Sequence, residues 1–148
     1  MNILAAIIAG LVGTIAISMV MAMAPRMGMP KMDIVDMLST MFGKPNRLMG
    51  WGMHFMMGVG FALTYSFLWS VGLGSAAWVY GLVFGGLHWL IAGMVMGMIP
   101  MVHVGIKSGQ VQAPGLWMTH SGGMLAFAGG LIGHLVFGLV VVLVYSLF

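Results

Sequence analysis

Five histidines are the residues of this sequence most able to do chemistry, because the chain has no cysteine and only two carboxylates. His54 and His134 begin two matching segments, HFMMGVGFALTYS and HLVFGLVVVLVYS, which share His, Gly, Leu, Tyr and Ser in register. His88 lies in another apolar run. Ionisable residues inside a membrane usually face the helix bundle and indicate function. We therefore interpret His54, His134 and His88 as candidate cofactor-binding residues.

The chemistry of imidazole leaves more than one ligand open. Two imidazoles from related helices are the ligand set of a b-type haem in a four-helix bundle. Imidazole together with thioether sulfur suits copper. Hydrogen bonding between helices, to Thr14, Ser18, Tyr65, Tyr145 or a backbone carbonyl, is the alternative without a cofactor. The candidate metal ligands are all the imidazoles and one methionine from each of two apolar runs: His54, His88, His134, His103, His120, Met19 and Met94.

Small residues recur every fourth position around His54 and His134, which places them on one narrow stripe of each helix. Such stripes let helices approach closely in lipid. A glycine one turn after each histidine also leaves space beside the ring. We predict helix-packing contacts at these small residues: Gly50, Gly58, Ala62, Gly130 and Gly138.

Four apolar runs without Asp, Glu, Lys or Arg position these residues. The chain is 61% hydrophobic and 5% charged, too little charge to solvate the surface of a soluble domain, so the class is integral membrane protein. Runs of about 20 apolar residues cross a bilayer as helices, which pair their own backbone groups. The sequence predicts an all-α fold in a single membrane domain, with spans at about 3–24, 48–71, 76–99 and 123–148.

These runs form an internal repeat. SMVMAMAP, ending at Pro25, matches GMVMGMIP, ending at Pro100, and the second and fourth runs match around their histidines. The units, about 1–72 and 73–148, each hold two spans and so have the same orientation. We expect two helical hairpins related by a pseudo-twofold axis along the membrane normal. Counting along the helices places the three intramembrane imidazoles at one depth, in the cytoplasmic half.

The polar connections predict the topology. All five Lys and Arg lie in the first and third connections, which the positive-inside rule assigns to the cytoplasm, with both termini outside. In the first connection, KMDIVDMLSTMFG predicts a short amphipathic helix on the membrane surface, with Asp33 and Asp36 on its wet side. The first run lacks a basic n-region and has a counterpart later in the chain, so we interpret it as a retained span. The predicted location is the bacterial inner membrane.

Motifs for catalysis are missing from the sequence. There is no HExxH, no phosphate-binding glycine loop and no nucleophile with a base, so an enzyme is disfavoured. The basic residues are too dispersed for nucleic acid. We expect an accessory subunit or homo-oligomer organised around the histidine level, with the lipid bilayer, other membrane subunits or further copies as partners. The alternatives are a haem b or copper protein in electron transfer or metal handling, and a small transporter.

Several segments together resemble a known family. GMPKMDIVDML, GWGMHFMMGVGFALTYS, GLHWLIAGMVMGMIP and GHLVFGLVVVLVYS are similar to sequences of a family of small bacterial four-span integral membrane proteins of unknown function. The resemblance covers nearly the whole chain. It implies the four-span architecture, and it implies no activity.

Overall fold

The computed structural model describes residues 1–148, and the chain is all-helical, as the sequence predicts. Short 3₁₀ turns follow α1 and α4, and another precedes α6. Asn2 and Asn46 cap α1 and α3 by accepting a backbone N–H from the first turn. The six α-helices are α1 (Ile3–Met23), α2 (Ile34–Ser39), α3 (Arg47–Ser70), α4 (Trp78–Met98), α5 (Val104–Lys107) and α6 (Gly123–Tyr145).

Three helical stretches are long and apolar enough to cross a membrane, which indicates a membrane protein. They are Ile3–Met27, Trp78–Met101 and Gly123–Tyr145, so two of them include the 3₁₀ turn that follows the α-helix. The second predicted span also forms a helix, α3, of 24 residues. It is less apolar than the other three, because it contains Arg47 and several polar side chains, such as Thr64, Ser66 and Ser70.

Helix α6 lies at the centre of the bundle, packed against both α1 and α4, while α1 also packs against α3. Small residues make these contacts close. A Cβ atom added at Gly10 would lie 2.7 Å from Val59 Cα on α3, and one added at Gly81 would lie 2.7 Å from the Gly138 oxygen on α6. Such backbone approach is how helices gain packing energy in lipid, where the hydrophobic effect between them is weak.

Helices α3 and α4 meet mainly through aromatic side chains. The Phe61 ring stacks on His88 with centroids 3.4 Å apart, and Tyr65 stacks on Phe84 at 5.2 Å. The Tyr65 hydroxyl also donates to the Phe84 oxygen at 2.9 Å. The helix contacts are therefore of two kinds: α1 touches α3, and α4 touches α6, backbone to backbone, whereas aromatic rings separate α3 from α4.

Helix α2 is the amphipathic helix that the sequence predicts in the first connection. Its apolar side packs into one end of the bundle, and its position at the membrane surface stays a prediction. Val35, Met37 and Leu38 are buried against α3 and share a core cluster with Trp89 and other residues of α4 and α6. This packing has a simple cause, since that end of the bundle offers apolar surface that six residues of helix can cover.

Charged groups hold the start of α2. The Asp33 side chain accepts the Asp36 N–H at 2.9 Å as an N-cap and also contacts Lys31 Nζ at 2.9 Å. Burial alone would raise the pKa of Asp33, but these hydrogen bonds to the carboxylate outweigh it and hold the pKa below its ordinary value. Lys31 is highly exposed, so this ion pair contributes little to stability.

The third connection folds back against α4 through an unusual backbone. Trp117 and Met118 have φ of 49° and 58°, a left-handed conformation that is rare outside glycine. The Trp117 ring lies directly on Gly93, where any side chain would occupy its place. Met118 is buried in the core cluster that α2 also enters. The connections before and after α4 thus differ: one is a tight turn, and the other is part of the core.

Candidate functional site

A partly open cavity of about 70 Å³ lies between α1, α3, α4 and α6. Most of its lining is apolar, with Ile17, Phe61 and Phe137 among the side chains. His54, His88 and His134 all line it. We call this space the histidine cavity. The three imidazoles that the sequence predicts at one depth therefore line one shared space.

His54 is held from α1. Its Nε2 lies 3.1 Å from Ser18 Oγ, and the Ser18 hydroxyl proton is already donated to the Thr14 oxygen at 2.7 Å. Because a hydroxyl has one proton, Ser18 Oγ accepts from the His54 Nε2–H. In the neutral ring, Nδ1 then carries a lone pair and has no hydrogen-bond partner.

His88 is held in the same way, by a hydrogen bond to a side chain of α3. Its Nδ1 lies 3.2 Å from the Tyr65 hydroxyl, whose proton goes to the Phe84 oxygen. Tyr65 therefore accepts from the His88 Nδ1–H, which leaves Nε2 of the neutral ring as an unpaired acceptor. Phe61 covers one face of the ring, and His134 approaches with ring centroids 4.6 Å apart and planes nearly perpendicular.

His134 is held within its own helix. Its Nδ1 donates to the Gly130 oxygen at 2.8 Å, which fixes the tautomer and leaves Nε2 without a partner. The Trp89 indole lies beside the ring at 4.9 Å between centroids and fills the space above Gly130. The glycine at position 130 is needed here because an added Cβ would overlap that indole.

Each imidazole thus has one nitrogen fixed by the protein and one nitrogen free. The polar side-chain atoms that are sealed from a water-sized probe without a partner are the indole nitrogens of Trp69, Trp89 and Trp117. The free imidazole nitrogens are not among them, so each retains some accessible surface. Metal-binding histidines are oriented in the same way, by a hydrogen bond from the second ring nitrogen. The cavity is therefore lined by three imidazoles that each retain one nitrogen without a protein partner.

Thioether sulfurs also line the histidine cavity, although not those that the sequence singles out. Met19 and Met94 are 59% and 49% exposed and point away from the bundle. Met21 and Met96, each the middle member of its methionine trio, line the cavity instead. Residues two apart on a helix are about 200° apart around the axis, so the flanking methionines face outward. The other lining methionines are Met32, Met57 and Met118.

The two remaining histidines of the predicted metal set lie elsewhere. His103 is fully buried outside the cavity, and both its nitrogens are occupied: Nε2 donates to the Met37 oxygen at 2.8 Å, and Nδ1 accepts the Ile106 N–H at 3.0 Å. It caps α5 and ties it to α2. His120 is exposed, with Nδ1 3.1 Å from the Ala113 oxygen. Neither imidazole is available to the site.

The predicted packing residues lie at helix contacts on three different partners. Gly58 lies against Thr14 of α1, Gly138 against Gly81 of α4, and Gly50 against the Val35 oxygen of α2. Ala62 is fully buried in a core cluster between α1, α3 and α6. Gly130 lies under the Trp89 ring. The stripe around His54 thus serves both α1 and α2.

Sequence reasoning missed the inward methionines and the stacking role of Phe61. A signal for the methionines exists: Met21 follows Gly10, and Met96 follows Gly85, by three helical turns. Residues at that spacing lie on one helix face, so the packing glycines already mark the inward methionine. No comparable signal marks Phe61, because it lies beside the small-residue stripe and its contact with α4 depends on the gap between the helices.

No group of three His, Cys, Asp or Glu side chains lies close enough to hold a metal ion by itself. Any metal here would need the thioether sulfurs as well as imidazole. Comparison of the chain with protein families, with curated proteins and with solved structures finds no match. The fold and the cavity thus define the class, an all-helical protein with membrane-crossing helices and an interior lined by histidines.

Proposed function

We propose that this chain is a small four-span protein of the bacterial inner membrane whose working part is a binding site for a small cation at the histidine cavity. It acts as an accessory subunit or as a homo-oligomer. The cavity carries the proposal, because three imidazoles there each have one nitrogen free of any protein partner. Gly52 and Gly60 on the outer side of α3 have no neighbour within contact of an added Cβ, which favours a further helix partner.

The four-span part rests on the length of α3 and on the charges. At about 1.5 Å per residue, a helix of this length extends about 36 Å, more than the hydrocarbon core of about 30 Å. The repeat gains support from packing. Gly10 lies against Gly58, and Gly85 lies against Gly138, which are equivalent contacts in the two proposed hairpins. The five Lys and Arg then favour connections one and three in the cytoplasm.

Single-cysteine labelling tests the topology, since the chain has no cysteine of its own. An impermeant thiol reagent added outside intact cells is expected to label Ser75→Cys, between α3 and α4, and to leave Gln110→Cys unlabelled until the cells are opened. Both positions are exposed, so accessibility within the fold is matched. Labelling of Gln110→Cys in intact cells would reverse the proposed orientation.

The cation part follows from what the cavity lacks. It has no carboxylate, and its one lining hydroxyl, that of Thr14, gives its proton to the Gly10 oxygen. Its other polar lining groups include imidazoles and soft sulfur. A group that accepts electron pairs, or that donates several hydrogen bonds, complements this lining. A small cation does both without needing a large volume.

Haem b is disfavoured by size. A cavity of about 70 Å³ is smaller than the roughly 150 Å³ cavity that holds a single benzene ring, and a porphyrin is several times larger than benzene. His54 on α3 and His134 on α6 would also have to separate around the macrocycle, which the packing of α1 against both helices opposes. No feature of the cavity specifically favours the transporter hypothesis, which stays a prediction from the sequence.

A cation panel on the metal-free protein in detergent tests the proposal. Ammonium, zinc(II) and silver(I) are added separately, and the thermal unfolding midpoint is measured. At least one is expected to raise the midpoint, because a ligand that binds only the folded state stabilises it. His88→Asn and His134→Asn each keep a donor near the Nδ1 position and remove the free Nε2, so the midpoint shift should fall sharply in both variants.

His120→Ala is the matched control, since it removes an imidazole outside the cavity and should keep the full shift. Each midpoint is compared with that of the same variant without cation, which separates binding from folding. If no cation of the panel shifts the wild type, or if the Asn variants respond as the wild type does, the cavity is not a cation site and the proposed function is wrong.

A further inference from the structure

We propose that the outer surface of the α1 and α3 pair binds an anionic phospholipid, with an acyl chain in a groove between the two helices and the phosphate beside Arg26 and Arg47. The inference goes beyond the proposed cation site and does not depend on it, because the groove shares no lining residue with the histidine cavity. The groove is open to the surroundings of the bundle and measures about 470 Å³. We call it the α1–α3 groove, and its lining residues are Ile15, Ser18, Met19, Ala22, Trp51 and Phe55.

The lining of the α1–α3 groove suits hydrocarbon. All its side chains but one are apolar, and the exception, Ser18, gives its hydroxyl proton to the Thr14 oxygen. Ile15 and Met19 are 49% and 59% exposed, so this wall of the groove faces the lipid when the helices cross a membrane. A hydrocarbon chain between two helices gains dispersion contacts on two sides, whereas a chain on a single helix gains them on one.

Both walls of the groove lead to an arginine at the same end of the bundle. Helices α1 and α3 pack antiparallel, with Ser18 Oγ 3.1 Å from His54 Nε2. Arg26 follows Ser18, and Arg47 precedes His54, each by about two helical turns, so both arginines lie in the same direction from that contact. Arg26 belongs to the 3₁₀ turn that continues α1, and Arg47 is the first residue of α3. The groove therefore has an apolar length and a cationic end.

Neither of these two guanidinium groups is neutralised within the protein. Both arginines are exposed, and the one ion pair of the chain joins Lys31 to Asp33. Asp36 interacts electrostatically with Arg47 but forms no ion pair with it. Basic sites between membrane-crossing helices bind anionic lipid headgroups, because the phosphate supplies the missing negative charge. The charge at this end of the groove therefore favours an anionic lipid over a neutral one.

Trp51 lies between the cationic end and the apolar part of the groove. It is one helical turn from Arg47, and one further turn leads to Phe55. Its Nε1 has no hydrogen-bond partner in the chain and is not among the sealed indole nitrogens. Tryptophan is enriched where a membrane meets water, because its ring is apolar and its N–H is polar. An ester or phosphate oxygen of the lipid can accept this N–H.

The test titrates the detergent-purified protein with phosphatidylglycerol or phosphatidylcholine of identical acyl chains and counts the bound lipids by native mass spectrometry. Arg26→Gln and Arg47→Gln each remove one charge from the cationic end. Lys107→Gln is their matched control, because it removes one exposed charge from the third connection.

A second pair of variants tests the apolar part. Ala22→Phe puts a ring into the groove, and its control, Val95→Phe, adds a ring on the outer side of α4, where Val95 is 52% exposed. All five altered side chains are exposed, so each variant should fold, and circular dichroism checks this.

We expect the wild type to bind one phosphatidylglycerol per chain about tenfold or more tightly than phosphatidylcholine, as two arginines near a membrane surface allow. Each arginine variant should lose about fivefold of that preference, and Lys107→Gln should keep it. Ala22→Phe should weaken the binding of both lipids, and Val95→Phe should bind them as the wild type does.

A wild type that does not distinguish the two lipids would overturn the inference, and so would a Lys107→Gln variant that loses as much as the arginine variants. Unchanged binding in Ala22→Phe would show that the headgroup is held without the groove, which also contradicts the proposal. Dimers that bind no lipid and dissociate in Ala22→Phe would assign the groove to a second copy of the chain and overturn the proposal as well.

Discussion

Gly138→Ala is expected to lower the free energy of unfolding by about 3 kcal/mol, near the upper end of the effects seen for overpacked cores. A methyl group at this position would overlap the Gly81 oxygen and lie 3.0 Å from Gly85 Cα. All these atoms are backbone, so no side chain can rotate away and α4 must move from α6. Unfolding in mixed detergent micelles, followed by circular dichroism, measures the loss.

Gly60→Ala is the matched control, because no heavy atom lies within 4 Å of its added Cβ. It should change stability by no more than about 1 kcal/mol, the helix-propensity difference between the two residues. Gly58→Ala should fall between the two, since the obstacle there is the Thr14 side chain, which can adopt another rotamer. Equal stabilities for Gly138→Ala and Gly60→Ala would show that α4 and α6 do not meet as described.

His103→Ala should destabilise the end of the bundle where α2 lies by about 2–3 kcal/mol. The ring is fully buried and links α5 to the Met37 oxygen of α2. Its removal leaves a cavity and deprives the Ile106 N–H of its partner. Hydrogen exchange should locate the effect, because the amides of Val104 and Gly105 donate to Met41 and Thr40 across the same junction.

His103→Asn should recover part of the loss, because asparagine is a good N-cap and can accept the Ile106 N–H but does not reach α2. His120→Ala removes an exposed ring with one hydrogen bond and should stay close to the wild type. A His103→Ala protein with unchanged exchange at Val104 and Gly105 would show that α2 and α5 are joined by other contacts.

Much of the fold could be predicted from composition and periodicity, because a membrane allows few solutions for an uncharged chain. The apolar runs gave the long helices, and the bounds differ from the structure by only a few residues. The position of α2 could not be predicted, since an amphipathic segment satisfies a membrane surface and a bundle end equally well. Whether α2 packs against the bundle depends on its long-range contacts with Trp89 and the residues around it.

The candidate site, too, could be predicted from the sequence only in part. His54, His88 and His134 could be selected because an imidazole in an apolar helix is exceptional by type alone. The methionines could not be selected by type, since Met19, Met21 and Met23 look alike in sequence, and only the rotation of α1 in the bundle distinguishes them. The imidazole tautomers could not be predicted from the sequence either, because they depend on which oxygens accept the hydroxyl protons of Ser18 and Tyr65.

The central position of α6 has a consequence for how the chain is made. Helix α1 leaves the ribosome before α6, yet the residues around Gly13 that fit against Phe137 and Val141 must wait for α6. Helices α1 and α3 can associate early, but α4 has no extensive helix partner until α6 enters. The nascent protein therefore stays incomplete in the bilayer through most of its synthesis. Release from the insertion machinery and resistance to membrane proteases should both depend on the final helix.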